Sequence, residues 1–198
     1  AEELPRQAAG ALRVTRTRSS AGSRKAAAPT PGGHAIFLRA VNVGGNTVST
    51  RALADALELV NIQAAGTFVS RGGRSAAALE RAVRGALPFE TEVIVRAEAE
   101  LRAAVDSLAR VPVPAGAKRF LTLLGAEPVV APVLPIERPE GDWEVRITKL
   151  EGPFVLSLDR KRGERRRFYP NEVIERALGV PATTRGWDTI TKVLEKLA

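Results

Sequence analysis

A glycine pair in a polar turn is the first feature of the chain that could bind a ligand. Asn42-Val43-Gly44-Gly45-Asn46 lies between an apolar run and a helical pattern, and glycines at such a junction can expose backbone N–H groups to a phosphate or another anion. The segment matches neither the Walker pattern nor the glycine pattern of dinucleotide-binding folds. A turn that needs positive φ would also require these glycines, so an anion site and a purely structural turn are both open.

A second polar segment, near the C-terminus, offers complementary groups. Thr183-Thr184-Arg185-Gly186-Trp187 supplies two hydroxyls, a guanidinium and an indole, which can hold an anion with the arginine as charge partner and the indole as a wall. The structural alternative is that Trp187 docks the last helix and Asp188 caps it. We expect both segments to meet in a cleft between the two halves of the molecule and to bind a small anionic ligand there. The candidate ligand-binding residues are Asn42, Gly44, Gly45, Asn46, Thr184, Arg185 and Trp187.

A basic loop favours a different function, weak binding of nucleic acid. Its cations are followed by Phe168 and Tyr169, and phosphate contacts combined with base stacking use such groups. A solvated hairpin loop explains the same charges. The candidate residues for this alternative are Arg160, Lys161, Arg162, Arg165, Arg166 and Arg167.

The amino-acid composition excludes several kinds of metal site and catalytic site. The chain has no Cys and one His, His34, which excludes thiolate ligands, cysteine nucleophiles and clusters of several histidines. We find no nucleophile–base pair and no cofactor motif, so we predict no metal site and no cofactor. An enzyme acting on an anionic small molecule ranks third, with its catalytic residues unknown.

Charge and hydropathy place further bounds on partners and location. The net charge is +8, and residues 1–33 carry six of the basic residues against Glu2 and Glu3. The remaining body is therefore only mildly basic, which weakens the nucleic-acid alternative. No apolar run is long enough to span a bilayer and no signal peptide is recognisable, so we predict a cytoplasmic protein with no membrane partner.

The order of predicted elements in the first half indicates a ferredoxin-like α+β fold. Strands are predicted over 35–41, 63–69 and 90–96, with helices after Ser49 or Thr50 and around Leu79–Leu87. A very short third strand after Gly72-Gly73 would complete the βαββαβ plan.

A proline-rich linker separates this half from a second, smaller α+β half. Val111-Pro112-Val113-Pro114 favours extended chain. Beyond it we predict a strand over 119–124, a hairpin around Glu151-Gly152 and two helices capped by Asn171 and Asp188. The predicted domains are a tail over 1–33, a ferredoxin-like domain over 34–113 and a second domain over 114–198.

Three segments of the chain resemble the domain-of-unknown-function family 1697, a group of uncharacterised conserved bacterial proteins. Residues 39–46 are similar to the R-G-I-N-V-G-G-K/N segment of that family, residues 67–72 to T-Y-I-Q-S-G-N, and residues 182–189 to A-T-T-R-N-W-N-T. The resemblance covers about residues 35–198 and implies a two-part α+β fold with ferredoxin-like character, but it supplies no mechanism. The chain departs from the family pattern at Ala40, where the family has Gly, and at Gly186 and Asp188, where it has Asn.

We predict that residues 1–33 are disordered and dispensable for folding. Their only large apolar side chains are Leu4, Leu12 and Val14, which cannot bury enough surface to offset the ordering entropy. A transit-like presequence would have a similar composition. Deleting residues 1–33 should leave the melting temperature almost unchanged in a thermal unfolding experiment. A clear drop in melting temperature would contradict the prediction.

Overall fold

A computed structural model describes residues 32–41, 47–62, 66–161, 163 and 167–198. Within these residues the chain forms two antiparallel sheets and five helices, which confirms the α+β class. Residues 1–31, most of the predicted tail, lie outside the described residues.

The first sheet is built by the N-terminal half. Its elements are β1 (His34–Leu38), α1 (Thr50–Leu57), β2 (Val60–Asn61), β3 (Thr67–Ser70), α2 (Ala76–Ala86) and β4 (Val93–Ala97), followed by α3 (Glu98–Leu108). The strand order is β2-β3-β1-β4, and all neighbouring strands are antiparallel. Ser49 caps α1, since its hydroxyl accepts the N–H of Ala52 at 3.2 Å.

The second sheet is built by the C-terminal half, after the predicted linker at Val111–Pro114. Its elements are β5 (Lys118–Leu124), β6 (Ile136–Arg138), β7 (Val145–Glu151), β8 (Phe154–Asp159), α4 (Pro170–Leu178), β9 (Ala182–Gly186) and α5 (Trp187–Leu197). The order is β6-β7-β8-β5-β9, again antiparallel throughout. The predicted hairpin around Glu151-Gly152 is the β7–β8 pair.

The strands that follow α1 differ from the prediction. Two strands, β2 and β3, precede Gly72-Gly73, and residues 71–75 after β3 contain no strand. Ser75 instead caps α2, accepting the N–H of Ala78 at 3.3 Å. The polar, small residues after the glycines favour a helix start over a strand.

Two helix starts also differ from the prediction. Pro170 takes the first helical position of α4, so that Asn171 is the second residue of the helix rather than its cap. β9 runs directly into α5 with Gly186 at the cap position, so Asp188 lies within the first turn. An acid there still favours the helix through the macrodipole.

The two halves share one hydrophobic core. The outer face of the first sheet packs under α1 and α2 through Ile36, Phe68, Leu79 and Val83. Its inner face packs against α3, α5 and the second sheet, in a cluster that includes Phe37, Leu101, Leu121, Phe154 and Ile190. A third cluster lies between the second sheet and α4. The shared cluster brings the end of β1 next to β9.

Arg185 joins the two sheets by polar contacts at that junction. Its Nε donates to Thr67 Oγ1 at 2.7 Å, and its Nη2 donates to the carbonyls of Leu38 at 2.9 Å and Gly66 at 3.3 Å. Its Nη1 donates to Thr183 Oγ1 at 2.7 Å and to the Thr184 carbonyl at 2.9 Å. A guanidinium has five N–H donors, so all five have protein acceptors.

Replacing Arg185 with Met should therefore destabilise the protein. The change removes the donor to Thr67 Oγ1 and one of the two donors to each of the Leu38 and Gly66 carbonyls, which should cost about 2–4 kcal/mol of unfolding free energy. Arg185→Lys should give an intermediate loss, because three rotatable donors cannot serve acceptors spread over three chain segments. Chemical denaturation measures both values.

Arg51→Met is the matched control, since the Arg51 side chain is 91% exposed. We expect it to change the unfolding free energy by no more than about 0.5 kcal/mol. Equal effects of the Arg185→Met and Arg51→Met changes would contradict a structural role for Arg185.

Candidate functional site

A cavity lies where the end of β1 meets β9, and we call it the cleft cavity. Its volume is about 270 Å³. It brings together two chain segments that are more than 140 positions apart in sequence, together with one residue of α4. The lining residues are Leu38, Arg39, Ala40, Val41, Asn171, Ala182, Thr183, Thr184 and Arg185.

Arg39 forms one wall of the cleft cavity and is held by Glu175 of α4. Arg39 Nε lies 2.6 Å from Glu175 Oε1, and Nη2 lies 2.9 Å from Oε2, in a bidentate ion pair. The hydrogen bond to Glu175 raises the pKa of Arg39. Burial by itself would raise the pKa of Glu175, but the hydrogen bonds from Arg39 and from the Ala182 N–H outweigh it and lower that pKa. The pair is therefore fully charged at neutral pH.

The β9 side of the cavity is rigid and polar. Burial lowers the pKa of Arg185 to about 10, so its guanidinium is still charged at neutral pH. Thr183 Oγ1 donates to the Leu38 carbonyl at 3.3 Å. Thr184 Oγ1 lies 2.7 Å from Thr122 Oγ1 on β5. These contacts fix Thr183 relative to β1 and Thr184 relative to β5.

The backbone after β1 has an unusual conformation at Ala40. Its φ is 50°, in the left-handed region where glycine is favoured and other L-residues are strained. This explains why the similar family segment has Gly at this position. The preceding carbonyl, that of Arg39, accepts a hydrogen bond from the Thr91 hydroxyl, and the Arg39 N–H donates to the Glu92 carbonyl at 3.0 Å. Both contacts hold the chain just before Ala40 and Val41.

The cavity contains part of the predicted ligand site. Thr184 and Arg185 line it, while Asn42, Gly44, Gly45 and Asn46 lie outside the described residues. Leu38, the last residue of β1, and the residues after it up to Val41 also line the cavity. Trp187 is not among the lining residues, and the guanidinium of Arg119 stacks on its ring at 4.7 Å from the centroid.

The charged and amide side chains at the cavity that were not predicted to bind a ligand are Arg39, Asn171 and the partner of Arg39, Glu175. Arg39 belongs to the first family-like segment, so its place in that segment was a usable signal. Asn171 and Glu175 are four positions apart on α4 and hence on one face of the helix. Only the fold reveals that this face points to β1.

The basic loop is partly anchored to the protein. Arg160 stacks on Trp143 at 4.0 Å from the ring centroid, and its Nε donates to the Trp143 carbonyl at 2.8 Å. The Arg167 N–H and Nε donate to the buried carboxylate of Glu144 at 2.9 and 2.7 Å, and these bonds lower the pKa of Glu144. Lys161 is exposed. Arg162, Arg165 and Arg166 lie outside the described residues.

Two features are absent from the described residues, a cluster of metal-ligating side chains and a membrane-spanning helix. In the part of the chain that the structure describes, no three His, Asp or Glu side chains are grouped so as to hold a metal ion. No helix among the same residues is long and apolar enough to cross a membrane.

Comparisons with known proteins identify a family. A solved structure, that of the conserved bacterial protein SP0830 from Streptococcus pneumoniae, is similar to this fold with a TM-score of 0.53 and 14% sequence identity. The similarity covers 84% of this chain and 99% of that one. No curated protein matches the chain. A family model matches residues 33–150, more than half of the chain, and the chain therefore belongs to the family described as Protein of unknown function (DUF1697).

Proposed function

We propose that this protein binds a small anionic ligand in the cleft cavity. The observation that carries the proposal is the convergence of the two family-like segments, since residues 39–41 and 182–185 line one cavity. Polar groups from segments far apart in sequence that line one concave site are typical of ligand pockets. At about 270 Å³ the cavity suits a ligand of a few heavy atoms better than a drug-sized molecule.

The electrostatics of the cavity favour an anion. Arg39 and Arg185 both line it, and Arg39 pairs with the carboxylate of Glu175. Asn171, the second residue of α4, also lines the cavity, so the positive end of the helix macrodipole is directed there.

Arg39 is better placed than Arg185 to contact the ligand. The five N–H groups of Arg185 already have acceptors, so its role in this proposal is to hold the cavity wall. Arg39 uses Nε and Nη2 for Glu175, and its side chain is 40% exposed. Among the described residues Nη1 of Arg39 has no acceptor, and this nitrogen is available to an anion.

A ferredoxin-like arrangement of the first half is part of the same proposal. The order β2-β3-β1-β4 with antiparallel neighbours, and both helices α1 and α2 on one face, support it. In such an arrangement the second face of the sheet is free to pack on another unit, which here is the C-terminal half. A bacterial origin is supported by the bacterial source of the similar structure, and a cytoplasmic location remains a prediction from the sequence.

The nucleic-acid alternative has less support. Of its six candidate cations, Arg160 and Arg167 are committed to Trp143 and Glu144. An enzyme acting on an anionic small molecule would need a base or nucleophile at the cleft cavity, and among the described lining residues the candidates are the hydroxyls of Thr183 and Thr184.

We expect a thermal-shift screen to find an anion that stabilises the protein. The probes are inorganic phosphate, citrate, small monocarboxylates and dicarboxylates, and nucleoside monophosphates. Ligand binding to the folded state raises the melting temperature. Arg39→Ala should weaken the best ligand by about tenfold or more, because a hydrogen bond to a charged group contributes about 1.5–3 kcal/mol.

The Asn171→Asp change should affect ligand affinity and protein stability in opposite directions. A carboxylate in the first turn of α4 favours the helix by about 0.3–1 kcal/mol, yet it places a negative charge at the cavity and should weaken an anion. The control is Ala77→Asp, an exposed residue at the same second position of α2. Unchanged affinity in Asn171→Asp and Arg39→Ala would place the ligand elsewhere and overturn the proposal.

A further inference from the structure

We infer that a second anion site, specific for a phosphate group, lies on a neighbouring face of α4, in a cavity lined by Arg138, Arg167 and Arg176. We call it the arginine cavity, and its volume is about 180 Å³. The phosphate would be free or the terminal phosphate of a larger molecule. None of the residues lining this cavity lines the cleft cavity, so the inference does not depend on the function proposed above.

Unbalanced positive charge is the main evidence for this site. Arg167 is neutralised by Glu144, with Nε 2.7 Å from Oε1. Arg138 donates to the carbonyl of Glu137 at 2.6 Å. Within the described part of the chain, neither Arg138 nor Arg176 forms an ion pair. Among the described residues that line the cavity, Glu172 is the one carboxylate, so Arg138 and Arg176 leave an excess positive charge that a bound anion would offset.

The fold holds these arginines around a small cavity with an apolar wall. Arg138 ends the edge strand β6, and Arg176 lies on α4. Arg167 stacks on Phe168 at 5.9 Å from the ring centroid. Val173 and Ala177 of α4 complete the wall beside Phe168. The three arginines therefore come from separate segments and converge on one space.

The size and chemistry of the cavity favour phosphate. It is smaller than the roughly 300–1,000 Å³ of pockets for drug-sized ligands. Guanidinium groups match tetrahedral phosphate oxygens through paired N–H donors. An apolar wall on one side lets a phosphate ester direct the rest of its structure outward along Phe168.

Titration of inorganic phosphate into the full chain, followed by isothermal calorimetry, tests the site. We expect saturable binding that Arg138→Gln and Arg176→Gln each weaken by about tenfold, in line with the worth of a charged hydrogen bond. Arg81→Gln is the control, because Arg81 is also an exposed helix arginine and lies on α2. Glu172→Gln should tighten phosphate binding, since it removes the opposing charge.

Further ligands separate the sources of the phosphate group. A nucleoside monophosphate that binds more tightly than inorganic phosphate, and loses that affinity in Arg176→Gln, would identify a phosphomonoester as the ligand. A single-stranded oligonucleotide with the same dependence would identify nucleic acid as the source of the phosphate. Failure of phosphate to bind at concentrations on the order of 10 mM, or binding that is insensitive to both arginine changes and to Glu172→Gln, would overturn the inference.

Asn171→Asp distinguishes this site from the cleft cavity. Asn171 does not line the arginine cavity, so phosphate binding there should depend on Arg138 and Arg176 far more than on Asn171. Phosphate binding that is lost in Arg39→Ala and retained in Arg176→Gln would place the phosphate in the cleft cavity and overturn the inference.

Discussion

The saturated guanidinium of Arg185 is the polar interaction on which the relation between the two sheets depends. Hydrophobic packing between the sheets is non-directional, whereas the five hydrogen bonds to Thr67, Thr183 and three carbonyls each require a defined direction. The bonds reach the end of β1, the start of β3 and β9 itself. Because these are the strands whose ends surround the cleft cavity, the same contacts that join the sheets also define the shape of the cavity.

Backbone constraints near this junction explain where small residues occur. Gly66 has a φ of 64°, and a Cβ on it would lie 2.7 Å from the Leu38 Cβ. Its carbonyl accepts from both the Leu38 N–H and Arg185. Ala40 has a φ of 50° and so accepts strain that the family glycine would avoid. At Gly66 the absent Cβ lets the backbone approach Leu38 closely enough for Arg185 to donate to both carbonyls.

Helices and strands with a regular pattern of apolar residues could be predicted from the sequence, whereas short or polar strands could not. α5 was predicted because Ile190, Val193 and Leu197 repeat at helical spacing, and the β7–β8 hairpin because a glycine turn separates two apolar runs. β9 was missed because Ala182-Thr183-Thr184-Arg185-Gly186 has almost no apolar content. Its strand conformation comes from pairing with β5 and from Arg185, and neither is visible in local sequence. β6 was missed because prolines surround three residues.

The candidate site, too, could be predicted only in part. Convergence of the two family-like segments was expected from their polar character, and the described residues at 39–41 and 182–185 do line one cavity. The role of each arginine in that cavity depends on hydrogen-bond partners that lie far away in the sequence and could not be predicted from it. Arg39 and Glu175 are 136 positions apart, and Arg185 and the Leu38 carbonyl are 147 apart. The residue types and their spacing predicted which side chains could bind a ligand, but the hydrogen-bond partners of each arginine depend on the fold.

Helix α4 connects the two cavities because its faces carry different pairs of residues. Asn171 and Glu175 form one i, i+4 stripe, with Asn171 lining the cleft cavity and Glu175 bonded to Arg39. Glu172 and Arg176 form the adjacent stripe and line the arginine cavity. Val173, Ile174 and Leu178 are buried and anchor the helix on the second sheet. Because the helix is anchored along this buried stripe, it holds the other two stripes at fixed positions, one at the cleft cavity and one at the arginine cavity. The packing of α4 on the second sheet therefore shapes both cavities.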